Sequence, residues 1–229
     1  MAKWILCLVA SFALNYKIVR LHASPIRNPA CIKHIIKDRT DIRDSKGAKI
    51  NIRFMEDGSM QFSSNADAEF KQLAFSMAQT TIGMKILKQM NSSSIRIVIE
   101  FNKVDIPFTS DGHYIGAQTI PIVSTKVDQS GRQKGLPFIS SAKIVIYEAG
   151  IKDMLSKNEG KVLIDGKTIN LRLFSIPDII ASFAVHEGTH VLYREFSGAL
   201  NPKATKYEIE RKPYENQLQH YRELLKKQK

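Results

Sequence analysis

The segment Val185-His186-Glu187-Gly188-Thr189-His190-Val191-Leu192 constrains this chain more than any other, because it places two histidines four residues apart. On an α-helix, positions i and i+4 project from the same face about one turn apart. His186 and His190 can therefore each give an imidazole nitrogen to one Zn²⁺ ion. Glu187 follows the first histidine, where its carboxylate can accept a proton from a water that the metal polarises. The pattern predicts a helix that carries a zinc site and a general base.

The residues around this pattern are those of a buried helix. Pro177-Asp178 predicts its start and Ser197-Gly198 its end. Gly188 costs about 1 kcal/mol against Ala in a helix interior, so we expect a packing reason for it or a close approach by substrate. Apolar residues recur at helical spacing on both sides of the histidines: Ile179, Ile180, Phe183, Ala184, Val185, Val191 and Leu192.

Two histidines do not complete a catalytic zinc site, which usually has three protein ligands and one open position. The only later histidine, His220, lies thirty residues beyond His190, so we expect an acidic third ligand on a second helix. The candidates are Glu208, Glu210 and Glu215.

Pro213 separates these candidates, because proline is accepted at the first helical position and not in a helix interior. We therefore predict that a final helix begins at Pro213 and carries Glu215, the favoured ligand, in its first turn. Glu208 and Glu210 stay as alternatives. A carboxylate in a first turn also interacts favourably with the helix dipole, which would be the role of Glu215 if it is not a ligand.

The chain resembles the gluzincin zinc metallopeptidases, and more narrowly the bacterial effector-type metallopeptidases. Residues 68–73, 81–87 and 95–99 are similar to the region that precedes the motif in that group. Glu215-Asn216-Gln217-Leu218 matches its pattern of Glu-Asn, a variable residue and an apolar residue, in which the glutamate is the third zinc ligand. The resemblance implies a zinc-dependent endopeptidase with a zincin-like fold.

Three positions depart from the pattern of that group. Gln219 stands where the group has arginine, and Arg222 is a possible substitute. Gly188 and Val191 replace the more usual leucine and alanine of the motif. These departures concern substrate preference and the group that stabilises the transition state more than they concern the metal.

The oxyanion of a peptidase intermediate needs a second electrophile, usually Tyr, His or Arg. Tyr214 and Arg222 are the preferred candidates for this catalytic role, and each is also a plausible packing or surface residue. Tyr193, His220 and Tyr221 lie near the site in sequence as well.

The N-terminus predicts export. Lys3 precedes an apolar run at residues 4–14, which has the length of a signal-peptide core and is too short for a membrane span. We expect residues 1–23 to be a secretory signal and residues 24–229 to form a single domain that is secreted or periplasmic. The alternative is an apolar strand or helix of the fold. Removal of the signal would leave Cys31 alone, so no internal disulfide is expected.

The chain carries a formal net charge of +12, which falls to +9 if residues 1–23 are lost. No nucleic-acid-binding module or aromatic-interleaved basic run accompanies this charge, so we expect a solvated basic surface and no nucleic-acid partner. The expected partner is a protein or peptide substrate. We also expect a monomer, without stable membrane insertion once the signal is removed.

The remaining pattern indicates an α+β protein with a small mixed sheet, the motif helix and a C-terminal helix. The predicted strands are 95–101 and 142–147, and the latter is our candidate for an edge strand that pairs with extended substrate. Hairpins are predicted around Glu56-Asp57-Gly58-Ser59 and Asp165-Gly166, and an amphipathic helix is predicted over 66–90, broken or bent near Gly83.

The sequence therefore predicts an exported zinc metalloendopeptidase in which His186, His190 and Glu215 bind the metal and Glu187 activates water. One alternative is a catalytically inactive, zincin-like secreted binding or adhesion module, with a closed structural metal site or none. Another is a cell-envelope protein that binds an anionic polymer through its basic surface.

Overall fold

The computed structural model describes residues 19–20, 42–57, 59–110, 112–128, 130–157 and 160–228. Within these ranges the chain is an α+β protein, as predicted. The five helices are α1 (Ala68–Ala78), α2 (Thr81–Ser92), α3 (Glu148–Lys157), α4 (Ile176–Leu192) and α5 (Lys206–Lys227). Short 3₁₀ helices lie at Leu171–Leu173 and Arg194–Phe196. None of the helices in these ranges has both the length and the apolar character of a membrane span.

The main sheet is mixed. Its strands are β1 (Val19–Arg20), β2 (Ile42–Arg43), β3 (Lys49–Ile50), β6 (Arg96–Asn102), β7 (Ala117–Val127) and β8 (Gln133–Tyr147), in the spatial order β1-β7-β8-β6-β2-β3. β8 pairs antiparallel with β7 and parallel with β6. Two separate hairpins are formed by β4 (Ile52–Phe54) with β5 (Met60–Phe62), and by β9 (Lys161–Ile164) with β10 (Lys167–Asn170).

Both predicted hairpins are confirmed, although Lys49–Ile50 leaves the first one and pairs with β2 instead. The predicted helix over 66–90 is broken into two helices, and the break lies at Gln79 and Thr80, shortly before Gly83. The Thr80 hydroxyl accepts a hydrogen bond from the amide of Gly83, so Thr80 caps the start of α2 and separates it from α1. The predicted signal segment 1–23 lies outside the described residues apart from Val19–Arg20, and it stays a prediction.

The motif helix α4 lies at the centre of the molecule, packed against α1, α2 and α5 on its sides and against β7 and β8. Ser175 caps its start by accepting from the amide of Asp178, and Pro177 lies in the first turn, close to the predicted beginning. Every residue from 179 to 191 is buried, as the continuous apolar pattern indicates. The helix ends at Leu192, before the predicted end at Ser197-Gly198.

Gly188 owes its place to packing between helices. A Cβ atom at this position would lie 2.8 Å from Cγ2 of Ile86 and 2.9 Å from Sδ of Met90, both on α2. Only glycine at this position allows α2 to approach α4 this closely. The contact holds α4 against α2.

Candidate metal centre

The two motif histidines meet on one face of α4. Their Nε2 atoms are 3.2 Å apart, and the side chains of His186 and His190 are 0% and 4% exposed. This is the arrangement that the four-residue spacing predicts for a helix.

Glu210 of α5 completes the group. Its Oε2 lies 3.0 Å from Nε2 of His186 and 3.4 Å from Nε2 of His190. A tetrahedral ion with bonds of about 2.0–2.1 Å separates its ligand atoms by about 3.3 Å, so the three donor atoms are spaced as ligands of one ion. His186, His190 and Glu210 form a buried group that could hold a metal ion.

The charges of the group are strongly coupled. Burial alone would raise the pKa of Glu210, but hydrogen bonds and positive charge from the two histidines outweigh it and lower the pKa to about 2. Burial alone would lower the pKa of His190, but its hydrogen bond to Glu210 and the charges of Glu210 and Glu187 raise that pKa to about 9. In the metal-free protein, a proton on His190 therefore takes the place of a cation beside Glu210.

A carbonyl group orients one of the histidines. Nδ1 of His190 lies 2.6 Å from the carbonyl oxygen of Phe196, in the 3₁₀ helix after α4, and can donate its hydrogen there. This bond orients the ring so that Nε2 faces Glu210, and a carbonyl partner on the other ring nitrogen is usual for a metal-binding histidine. Nδ1 of His186 is buried and has no hydrogen-bond partner among the residues that the structure describes. The ring of Tyr214 packs on His186 with a centroid separation of 4.8 Å.

Glu187 lies beside the three candidate ligands without belonging to their group. Its side chain is 0% exposed, and among the described residues only the Thr119 side chain is within hydrogen-bonding reach of its carboxylate. Burial raises the pKa of Glu187, against the opposing effects of the positive histidines and the Thr119 hydroxyl. A buried carboxylate with a raised pKa is suited to proton transfer.

The structure does not bring Glu215 to the histidines, and our preference for it over Glu210 has to be corrected. Its side chain is 48% exposed and forms an ion pair with Lys212. The reason is that α5 begins at Lys206 and not at Pro213. Thr205 and Glu208 form a capping box at its start, which places Pro213 inside the helix.

The position of each acid on α5 follows from that start. Glu208 is exposed and used as the cap, whereas Glu210 is buried and faces α4. Glu215 follows Glu210 by five residues, which turns its side chain by about 140° around the helix axis. Tyr214 follows Glu210 by four residues and shares its face, so it does lie at the site.

Arg222, the other candidate for stabilising the transition state, is exposed on α5. It lies twelve residues beyond Glu210, about 18 Å along the helix. The structure therefore does not bring Arg222 to the metal group.

The asparagine of the Glu-Asn pair is at the interface although its glutamate is not. Asn216 is buried, and its amide donates to the hydroxyl of Thr189 in the motif, at 3.0 Å. About two turns earlier on α4, the Ser182 hydroxyl contacts Gln217 at 3.3 Å and Tyr221 at 2.5 Å. These buried hydrogen bonds hold α5 in one register against α4 and so place Glu210 opposite the histidines.

His220 belongs to a separate cluster. Its Nδ1 lies 2.6 Å from the Thr80 hydroxyl, at the junction of α1 and α2. Burial lowers its pKa to about 4, so the ring is neutral at ordinary pH.

Residues 142–147 do form a strand, but the prediction that this strand lies at the edge of the sheet is wrong. These residues belong to β8, which lies between β7 and β6 in the interior of the sheet. Of the strands that the structure describes, β7 lies beside the motif helix and has an unpaired stretch, and sequence reasoning missed both this strand and its contact with α4. Thr119 of β7 donates from its hydroxyl to the carbonyl oxygen of Glu187, at 3.3 Å.

Comparison with protein-family models, with curated proteins and with solved structures found no match. The case for a function therefore depends on the residues of this site.

Proposed function

We propose that this chain is an exported zinc-dependent metallopeptidase in which His186, His190 and Glu210 hold the ion and Glu187 is the general base. Two histidines and a glutamate are a known donor set of catalytic zinc sites. The observation that carries the proposal is the site itself: three buried donor atoms 3.0–3.4 Å apart, beside the buried carboxylate of Glu187. When bound, zinc would supply a Lewis acid that polarises the scissile carbonyl and makes water more acidic.

The residues of the chain account for the proton transfers. Glu187 would take a proton from the attacking water and return it to the leaving amine, and its raised pKa suits both steps. Tyr214 packs on His186 and is our candidate for a hydrogen bond to the carbonyl oxygen as it becomes negative. A peptide would reach these groups along β7, the strand that contacts the Glu187 turn.

The test is a Glu187→Gln variant, which keeps the shape of the side chain and removes its basicity. We expect this variant to bind as much zinc as the wild type and to lose about 10²–10⁴-fold in hydrolysis of a proteome-derived peptide library, followed by mass spectrometry. Glu215→Gln is the matched control, since it makes the same change at an exposed acid of α5. Wild-type turnover by Glu187→Gln would refute the proposed mechanism.

A second candidate function is a secreted binding module with a structural metal ion. The observation in its favour is burial, since His186 and Glu187 are both 0% exposed. Structural zinc sites are closed by four protein ligands. Loss of zinc in Glu187→Gln, together with no hydrolysis by the wild type, would favour this candidate.

A further inference from the structure

Within the part of the chain that the structure describes, β7 has an unpaired stretch next to the motif helix. β8 pairs with one side of β7, and β1 pairs with the other side at Ser124 and Thr125 alone. Among the described residues, no strand covers the stretch from Ala117 to Val123 on that side. This stretch is called the free edge below.

The direction of the backbone groups along the free edge follows from one hydrogen bond. The amide of Tyr147 donates to the carbonyl of Gly116, and these residues lie opposite each other in the β7–β8 register. Opposed residues in an antiparallel pair alternate between bonding each other and pointing their amide groups away. Ala117, Thr119 and Pro121 therefore direct their backbone groups to the free edge.

Pro121 agrees with this phase, because a proline in a strand has its nitrogen on the unpaired side. It also limits the free edge: Ala117 and Thr119 offer a donor and an acceptor, whereas Pro121 offers only an acceptor. Before Pro121, Thr119 is the last residue of β7 that can both give and receive a backbone hydrogen bond there.

The side chain of Thr119 contacts the motif helix α4. It is 5% exposed, and its hydroxyl donates to the carbonyl oxygen of Glu187 at 3.3 Å. The Thr119 side chain is also within reach of the Glu187 carboxylate, which has no hydrogen bond from any other described residue. Thr119 therefore ties the turn of α4 that carries Glu187 to the sheet.

We infer that Thr119 is a positioning residue that joins the substrate-binding edge to the general base. Its backbone groups face an extended peptide on the free edge, and its hydroxyl fixes the turn of α4 that carries Glu187. Thr119 thus sets the distance between the bound peptide and the carboxylate of Glu187. This inference rests on the proposed function, and it assigns to Thr119 no contact with the metal.

The test measures binding of acetohydroxamate to the zinc-loaded full chain. A chelating hydroxamate gives up its hydroxyl proton, and a carboxylate placed to take a proton from water is placed to take this one. The variants are Thr119→Val, which removes the hydroxyl at nearly constant shape, and Thr119→Ser, which keeps it. Ser124→Ala is the matched control, because Ser124 is a second buried hydroxyl of β7 and its partner is Ser140, at 2.7 Å, rather than α4.

We expect Thr119→Val to bind one zinc per chain, like the wild type, and to bind acetohydroxamate about fivefold to tenfold more weakly. Thr119→Ser and Ser124→Ala should stay within about twofold of the wild type. A purely structural role would lower the melting temperature of Thr119→Val without this loss of affinity.

Four results would overturn the inference. Wild-type affinity in Thr119→Val would do so and leave the proposed function standing, and so would an equal loss in Ser124→Ala. Loss of zinc in Thr119→Val would make the residue a support of the metal site instead. If the zinc-loaded wild type does not bind acetohydroxamate at all, the ion has no open position, and the proposed function fails together with the inference.

Discussion

Replacing Glu210 with glutamine should weaken zinc binding far more than the same change at Glu215. Glu210 is 4% exposed and places one carboxylate oxygen between the two histidine nitrogens. A glutamine would fit the space, but its amide lacks the charge that a ligand to zinc supplies. Glu215 lies on another side of α5 and is paired with Lys212 in solvent.

The expected magnitude follows from the number of ligands. Zinc bound by four protein ligands contributes about 10–16 kcal/mol, so one ligand accounts for about 3–4 kcal/mol. At about 1.4 kcal/mol for each factor of ten, Glu210→Gln should raise the dissociation constant by roughly 10²–10³-fold. Glu215→Gln should change it by less than about twofold, because exposed ion pairs contribute little.

The assay is competition for zinc against a chromophoric chelator at fixed pH, with elemental analysis of the dialysed protein as a second measurement. Circular dichroism of the metal-free variants controls for folding. Wild-type affinity in Glu210→Gln, or a large loss in Glu215→Gln, would refute the reasoning from burial and distance and return the ligand to the residue that the sequence favoured.

Three further predictions concern the metal-free protein. Because the pKa of His190 is about 9 without metal, zinc binding near pH 7 should release about one proton per ion. Calorimetry in buffers of different ionisation enthalpy would detect this release. A release of zero protons would contradict the proposed proton on His190. Gly188→Ala should gain about 1 kcal/mol of helix propensity but lose about 1–3 kcal/mol to overpacking against α2, so a raised melting temperature would count against the tight contact. His220 has a pKa of about 4 in the folded protein against 6.5 when unfolded, so the unfolded chain binds more protons between these pH values. The free energy of unfolding should therefore fall as the pH drops through this range, by roughly 3 kcal/mol in all. Denaturant melts of His220→Gln should lack that pH dependence, and an unchanged slope would place its origin elsewhere.

The motif helix shows what sequence periodicity can determine. Helical spacing of apolar residues and the i, i+4 histidines depend on geometry within one segment, and both are seen in α4. The two hairpins were predictable for the same reason, since a turn such as Asp165-Gly166 requires only its own backbone conformation. Asp165 indeed has a positive φ of 47°.

The start of α5 was predictable from residues that the argument from Pro213 passed over. Thr205 and Glu208 have the spacing of a capping box, and a cap that satisfies orphan amides is a stronger start signal than a proline that can also be carried inside a long helix. With that start, the helical phase of Glu210 and Glu215 is set, but which side of α5 faces the histidines is still undecided.

The sequence by itself determined that two histidines and a glutamate lie together on one buried helix, because their spacing fixes their direction. Only the tertiary structure decided that Glu210 joins them, that β7 is the strand beside the Glu187 turn and that Gly188 serves helix packing. Each of these depends on how two segments distant in sequence are rotated and shifted against each other. That rotation is set by contacts such as Asn216 with Thr189, whose energy exists only when both helices are in place.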